Sequence, residues 1–322
     1  MSKHTFRFNY SDRADFSQPL VDISTTGKER NWKFKKNNND MLAYIYDSID
    51  PAKAERLRNC SSFLIFGRTK DNQLKLKKMN SCRVRLCPVC AWRRSLKIYS
   101  HMTKIMNYVQ ESDCYEYLFI TLTVKNCYPE ELNDHITLLL QSWQRFIQRK
   151  EIKNICIGSW RGLEITYNDL NNTFHPHFHV IFCVNKNYFK KNYMSQARFT
   201  DLWKDSLRAD YTPIVNVKKV KGNTTKAVAE CAKYAVKDTD YIRPDDLDLS
   251  QFIVEILDKA LDGRRLISYT GLFKDIHLKL NLDDEIDGDL IHVDNDDHDD
   301  FTNEEILYVW HVGYNNYFRS KL

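Results

Sequence analysis

The chain has 322 residues, 43% of them hydrophobic, which is enough for a substantial core in one large domain or two ordinary ones. No run of about 18 apolar residues occurs and the opening Met-Ser-Lys-His-Thr-Phe-Arg has no apolar signal region, so neither a membrane span nor an export leader is expected and the chain is read as cytoplasmic. The formal net charge of +5 hides an asymmetry: residues 283–305 carry twelve Asp or Glu and no Lys or Arg, and with those twelve negative charges removed the other 299 residues stand at +17.

So basic a body suits a polyanionic partner, most simply nucleic acid. Clustering favours this over ordinary solubilising charge, because positions 75–104 hold nine Lys or Arg and no acid. The nine cysteines, an odd number with no export signal, point to metal or buried thiols rather than disulfides.

In chain order, residues 1 to about 40 are polar and basic with little periodicity. Lys28-Glu-Arg-Asn-Trp32-Lys-Phe34-Lys-Lys36 interleaves cations with two aromatics, and either lies along a nucleic acid or forms a loosely held arm. Asp50-Pro51 signals a helix start. Ser62–Phe66 and Gln73–Lys77 read as a hairpin. Then comes Cys82-Arg83-Val-Arg85-Leu-Cys87-Pro-Val-Cys90. With Cys60 it supplies the four thiolates of a closed structural Zn²⁺ site, although the gap from Cys60 to Cys82 is filled by the hairpin. Redox chemistry and four independent buried thiols are the alternatives.

Ala91–Gln110 reads as a helix with Trp92, Leu96, Tyr99, Met106 and Val109 toward a core and Arg93, Arg94, Lys97 and Lys104 on a basic side. The pattern changes near residue 111. Tyr117–Val124 is a strand with Leu118, Ile120, Leu122 and Val124 on one face and Phe119, Thr121 and Thr123 on the other. Pro129 with Glu130 and Glu131 opens a helix carrying Leu132, Ile136, Leu139, Trp143 and Phe146. Ile157–Tyr167 is a second strand, joined through an Asn- and Asp-rich turn to Phe174-His175-Pro-His177-Phe-His179-Val-Ile-Phe182.

Side chains alternate along a strand, so His175, His177 and His179 share one face and Phe178, Val180 and Phe182 the other. Imidazoles two residues apart on a rigid strand can grip one metal ion or act on one phosphate. Glu164 falls on the histidine side if the hairpin packs its apolar faces together. It is then read as a ligand, the alternative being a solvated carboxylate. All three strands divide apolar from polar, which predicts an antiparallel sheet with helices on one face and its site on the bare side.

Gln196–Leu207 is another helix and Ile214–Val220 another strand. A helix from Asn223 to about Asp240 would put Glu230, Tyr234, Lys237 and Tyr241 on one stripe, which is either chemical or a solvated face with half-packed tyrosines. Ser250–Leu261 is amphipathic, and Arg264-Arg265-Leu-Ile-Ser-Tyr-Thr-Gly271 is a basic strand or turn. The acidic run 283–305 reads as a solvated or disordered linker. The aromatic Ile306–Phe318 docks back on the body.

The chain resembles the replication initiators of rolling-circle plasmids, in the HUH endonuclease superfamily. The resemblance is carried by Phe119-Ile-Thr-Leu-Thr123, His175-Pro-His-Phe-His179 and Glu230-Cys-Ala-Lys-Tyr234-Ala-Val-Lys237-Asp-Thr-Asp-Tyr241. Arg85-Leu-Cys87-Pro-Val-Cys90-Ala-Trp-Arg93-Arg94 and Arg265-Leu-Ile-Ser-Tyr-Thr-Gly271 support it. It implies an α+β, RRM/ferredoxin-like catalytic domain over 111–280. Residues 1–110 would form a basic N-terminal region with a zinc-type module, and 281–322 an acidic linker with an aromatic C-terminal segment.

It implies His177, His179 and Glu164 as ligands of Mg²⁺ or Mn²⁺, with His175 a supporting residue. Tyr234 would be the nucleophile, with Tyr241 its alternative. Lys237 would lie near the scissile phosphate, and Glu230 would activate water at termination. Arg83, Arg85, Arg93, Arg94 and Lys97 are expected to hold DNA. The implied partners are single-stranded or extruded origin DNA, a host helicase and a replication polymerase, with no membrane. Two other readings fit parts of the pattern. One is a histidine-triad nucleotide hydrolase without metal, the other a non-catalytic zinc-stabilised DNA-binding regulator. A relaxase or transposase of the same superfamily would share the chemistry.

Overall fold

The computed structural model describes residues 14–24, 27–221, 227–229, 236–284, 287–293 and 301–321. Two compact units emerge, Met1–Arg93 with Asp289–Leu322, and Arg94–Gly288. The first unit is therefore made from both ends of the chain. The reason is that the C-terminal strands pair into the N-terminal sheet.

In the first unit, strands β1 (Ala14–Pro19), β2 (Phe63–Thr69) and β3 (Leu74–Met79) join β9 (Phe301–His311) and β10 (Asn316–Ser320). The order is β1-β10-β9-β2-β3, antiparallel throughout. Helices α1 (Trp32–Ile49) and α2 (Pro51–Asn59) complete the unit. Asp50 caps α2 by accepting from the amides of Ala52 and Lys53, with Pro51 where its missing N–H costs nothing. The Trp310 indole donates to Asp40 of α1 at 2.8 Å, and the buried Tyr317 hydroxyl donates to the Ser61 carbonyl at 2.7 Å. These bonds satisfy polar groups that burial would otherwise leave costly.

The Lys28–Lys36 stretch is not a loosely held arm. From Trp32 it is helical, with Trp32 and Lys36 both buried. The Trp32 indole donates to Asp22, and its ring meets Phe66 and Trp92 edge-on. The acidic run is also more than a linker. Its last residues lie in β9, where Glu304 pairs with Arg68 and Glu305 with Lys77.

The second unit is built on β4 (Tyr115–Thr123), β5 (Gly158–Asn168), β6 (Thr173–Asn185), β7 (Val215–Lys219) and β8 (Ile267–Thr270). Its order is β7-β4-β6-β5-β8, again antiparallel. On one face pack α4 (Leu132–Gln148) and α7 (Gln196–Leu207), whose Trp143, Phe146 and Phe199 meet Phe178 and Phe182 of β6. Helix α9 (Leu247–Leu261) packs beside α4. Helices α5 (Lys150–Ile155) and α6 (Tyr188–Lys191) are short connectors.

The second face, expected from the sequence to be bare, is partly covered. Residues of α3 (Pro88–Gln110), namely Met102, Ile105, Met106 and Val109, pack there with Phe273 and Ile276 of α10 (Gly271–Lys279). They cover Tyr117, Trp160, Ile181 and Cys183, which share their face with the histidines. The histidine face is therefore divided along its length, half core and half site. Gly271, with φ of +51°, is required where α10 meets β5, because a Cβ there would lie 2.2 Å from the Ile157 carbonyl oxygen.

The helix expected from 223 to 240 is not continuous. Residues 227–229 are helical, but Lys237 is extended (φ −72°, ψ 138°) and opens a separate short helix, α8 (Asp238–Tyr241). An extended residue cannot stand on a helical stripe, so Lys237 and Tyr241 do not continue one from above. Glu230 and Tyr234 lie outside the described residues. No helix among the described residues is long and apolar enough to cross a membrane.

Candidate metal centres and the replication-protein family

In the second unit the register fixes the site. His177 stands opposite Thr123 on β4 and Glu164 on β5, while His179 stands opposite Thr121 and Gly162. Hydrogen bonds between Cys127 and Phe174 tie the start of β6 to the loop after β4, and the Trp203 indole donates to the Thr123 carbonyl. The strand carrying the histidines is thus held on both sides.

The side chains of Glu164, His177 and His179 converge. Glu164 Oε2 lies 2.7 Å from His179 Nε2 and 3.6 Å from His177 Nε2. Donors about 2.1 Å from one divalent ion and a right angle apart lie about 3 Å from each other, so the spacing fits a shared cation. The other ring nitrogens are engaged. His177 Nδ1 is 3.1 Å from the His175 carbonyl oxygen, and His179 Nδ1 is 3.4 Å from Thr121 Oγ1. A proton on each Nδ1 leaves each Nε2 lone pair for a metal.

Burial works to raise the Glu164 pKa, but in the metal-free protein the neighbouring His177 and His179 imidazoles outweigh it and hold the carboxyl well below the usual carboxylate range. Burial, and then His177, lower the pKa of His175. The His175 ring stacks on His177 with centroids 5.0 Å apart, so this residue supports the pair through both its ring and its carbonyl. Phe119 stacks on His179 at 5.4 Å. Gly162 opposite His179 leaves room for Trp160, whose ring a Cβ there would meet at 2.4 Å.

Lys237 is exposed and Tyr241 buried. Asp240 was not picked out from the sequence. It is half-buried, and burial raises its pKa against the opposing pull of Lys237 and Arg243, with the negative charge of Glu164 adding to the rise. That electrostatic reach puts a further acid near the site. No spacing rule reveals it, because it depends on the chain breaking at Lys237.

The first unit holds the second cluster. Cys60 follows α2, Cys82 follows β3, Cys87 precedes α3 and Cys90 lies in its first turn. Their Sγ atoms are 3.6 Å apart for Cys60–Cys90, 3.6 Å for Cys60–Cys87 and 3.8 Å for Cys82–Cys90. Four sulfurs at 2.3 Å from a tetrahedral Zn²⁺ would stand about 3.8 Å apart, so the donor set fits. The amides of Cys82 and Cys90 approach the sulfurs of Cys60 and Cys87, each at 3.4 Å. Burial and the neighbouring sulfurs push the Cys87 thiol well up, so without a cation this site would be protonated.

The basic residues expected to hold DNA divide. Arg83 is exposed and Arg85 and Arg94 are half-buried. Arg93 is 2% exposed, donating from Nε to the Leu290 carbonyl at 2.8 Å and from Nη2 to that of Ile291 at 2.5 Å. Lys97 is 1% exposed and donates to Asp283. Both side chains are thus buried and hydrogen-bonded within the protein.

Two antiparallel sheets with helices, one cluster of four cysteines and one of two imidazoles with a carboxylate, define a mixed α/β protein with two groups of side chains that could each hold a metal ion. A family described as replication protein (Rep_1) matches residues 73–318. Protein rep of Bacillus amyloliquefaciens is 40% identical, covering 96% of this chain and 99% of that protein. Protein rep of Streptococcus pneumoniae is 36% identical over 93% of this chain and 95% of its own length, and that of Lactiplantibacillus plantarum 35% over 94% and 99%. No solved structure matches. The chain belongs to this replication-protein family, and its likeness to plasmid replication initiators stands.

Proposed function

We propose that the protein initiates rolling-circle plasmid replication as a metal-dependent nickase and strand-joining enzyme on single-stranded or extruded origin DNA. The observation that carries this reading is the convergence of Glu164, His177 and His179 on one sheet face in a member of a replication-protein family. Imidazole and carboxylate donors suit Mg²⁺ or Mn²⁺, with imidazole leaning toward Mn²⁺ in affinity. The ion would orient the scissile phosphate and offset charge developing in the transition state.

The chain supplies the rest. A tyrosine hydroxyl has a reference pKa of about 10, so its proton must leave as it attacks. Tyr234 Oη bonds to phosphorus, the bond to the 3′ oxygen breaks, and the phenolic proton ends on that oxygen. The products are a 5′-phosphotyrosine and a 3′-hydroxyl able to prime synthesis. One ester replaces another, so the step reverses and allows strand joining. Lys237 sits by the phosphate, and Glu230 serves as general base for the water that terminates the cycle. The first unit, with its four-cysteine site, is the proposed DNA-holding module, aided by Arg83, Arg85 and Arg94. A host helicase and polymerase complete the cycle, in the cytoplasm.

The test is incubation with origin-derived single-stranded oligonucleotides and Mn²⁺. A covalent band is expected that requires the metal and disappears in Tyr234→Phe. An adduct persisting in that variant would move the nucleophile elsewhere, and binding without cleavage on every oligonucleotide tiling the plasmid would refute the enzymatic reading.

A further inference from the structure

The segment Arg265–Gly271 takes no part in the chemistry above, yet it forms β8 and the entrance to α10 beside the metal site. Ile267 pairs with Gly162 and Tyr269 with Trp160. The Leu163 amide donates to the Leu266 carbonyl at 2.8 Å, so Arg265 leaves the strand next to the stretch of β5 that carries Glu164. Beside it lies a pocket of about 200 Å³ lined by Arg265, Ser268, Tyr269, Lys274, His277 and Asp284, among others. The Tyr269 and His277 rings meet at 4.8 Å, and the buried Ser268 hydroxyl has no hydrogen-bond partner.

Cations and an aromatic ring in one groove match the phosphates and bases of a single strand. A carboxylate already occupies the cationic end, where Asp284 accepts from Arg265 at 3.1 Å. Lys97 and His101 hold the adjacent Asp283. The acidic turn is closed by Gly288, whose amide donates to the Asp284 carbonyl at 2.8 Å and where a Cβ would lie 2.2 Å from Asp283 Oδ2.

We infer that the groove of Arg265, Tyr269, Lys274 and His277 takes the single-stranded DNA flanking the scissile phosphate, and that Asp284 stands in for a DNA phosphate until the strand displaces it. This rests on the nickase reading for its direction toward the metal, but not for its binding chemistry. The acidic segment then acts as a built-in competitor, favouring strands that reach both the groove and the metal site over any loose polyanion.

The test uses the full-length protein and a fluorescein-labelled oligo(dT), with no divalent cation added, so that cleavage plays no part. Arg265→Gln should weaken binding about tenfold at low salt and lower the slope of log affinity against log salt by about one phosphate contact. Asp284→Asn should tighten binding several-fold, a gain that misfolding cannot produce, and the gain should vanish in the Arg265→Gln background. Unchanged affinity in both single variants, or a gain from Asp284→Asn that survives without Arg265, would overturn the inference. Adduct formation by the wild type is scored separately. Adduct present with unaltered oligo(dT) binding sinks the groove alone, whereas the expected binding changes without any adduct support the groove and sink the nickase reading.

Discussion

Replacing Cys87 by serine should remove a metal and with it most of the stability of the first unit. The four sulfurs join the end of α2, the end of β3 and the start of α3, so one ion closes three elements onto each other. Structural Zn²⁺ contributes about 10–16 kcal/mol in small zinc modules. That rivals the roughly 5–15 kcal/mol by which a whole domain is stable. In Cys87→Ser three thiolates remain, and the hydroxyl is a far poorer ligand at neutral pH. Purified wild-type protein should contain one zinc per chain by elemental analysis, and Cys87→Ser little or none with a lower melting temperature. Cys114→Ser serves as the control, because Cys114 is exposed and stands apart from the cluster. Cobalt substitution should give the absorption of a tetrahedral thiolate site in the wild type only. Metal-free wild-type protein that keeps its melting temperature, with all four thiols protonated, would refute the reasoning and reduce the cluster to buried thiols.

Two further outcomes follow from the geometry. In protein without divalent metal, the folded-state pKa of Glu164 lies below its unfolded value, so its stabilising effect is present above about pH 4.3 and fades as pH falls below that. The melting-temperature gap between wild type and Glu164→Gln should therefore be present at pH 7 and close in acid, and a gap constant with pH would contradict it. Arg93→Ala should destabilise the first unit by about 2–4 kcal/mol in denaturant titration, since two carbonyls lose a charged donor, while leaving the salt slope of DNA binding unchanged. A reduced slope with intact stability would instead show Arg93 contacting DNA.

The histidine strand was legible because a period of two assigns faces without knowledge of partners, and register then brought Glu164 to His177 as the hairpin reading required. The hairpin of β2 and β3 and the helices α2, α4 and α7 were legible from turn and cap residues. The second helical layer was not. Along β4 the same face carries Tyr117 and Phe119 and then Thr121 and Thr123, and along β6 it carries His177 and His179 and then Ile181 and Cys183. Read as an average, that face is polar. Read by position, it is polar at one end and apolar at the other, and α3 with α10 covers the apolar end. The apolar positions of α3 were visible in the sequence, but not their partner. The break at Lys237 escaped for a different reason: helical periodicity continues through it, and only the observed extended backbone shows that a new short helix begins there.

Charge was the property most distorted by reading along the chain. Removing the acidic run to obtain +17 treats those carboxylates as remote from the basic body, whereas Asp283 lies on Lys97 and His101, Asp284 on Arg265, Glu305 on Lys77 and Glu304 on Arg68. The run neutralises cations that a linear count gives to DNA. Of the nine basic residues between 75 and 104, Arg93 and Lys97 are buried and Lys77 is paired. A salt slope reports phosphates newly neutralised, and a cation already facing a carboxylate adds to it only if the carboxylate moves away. The dependence of DNA affinity on salt therefore measures how far the acidic segment yields. A slope approaching the full basic count requires its release, while a shallow one means that the strand binds with the segment still in place.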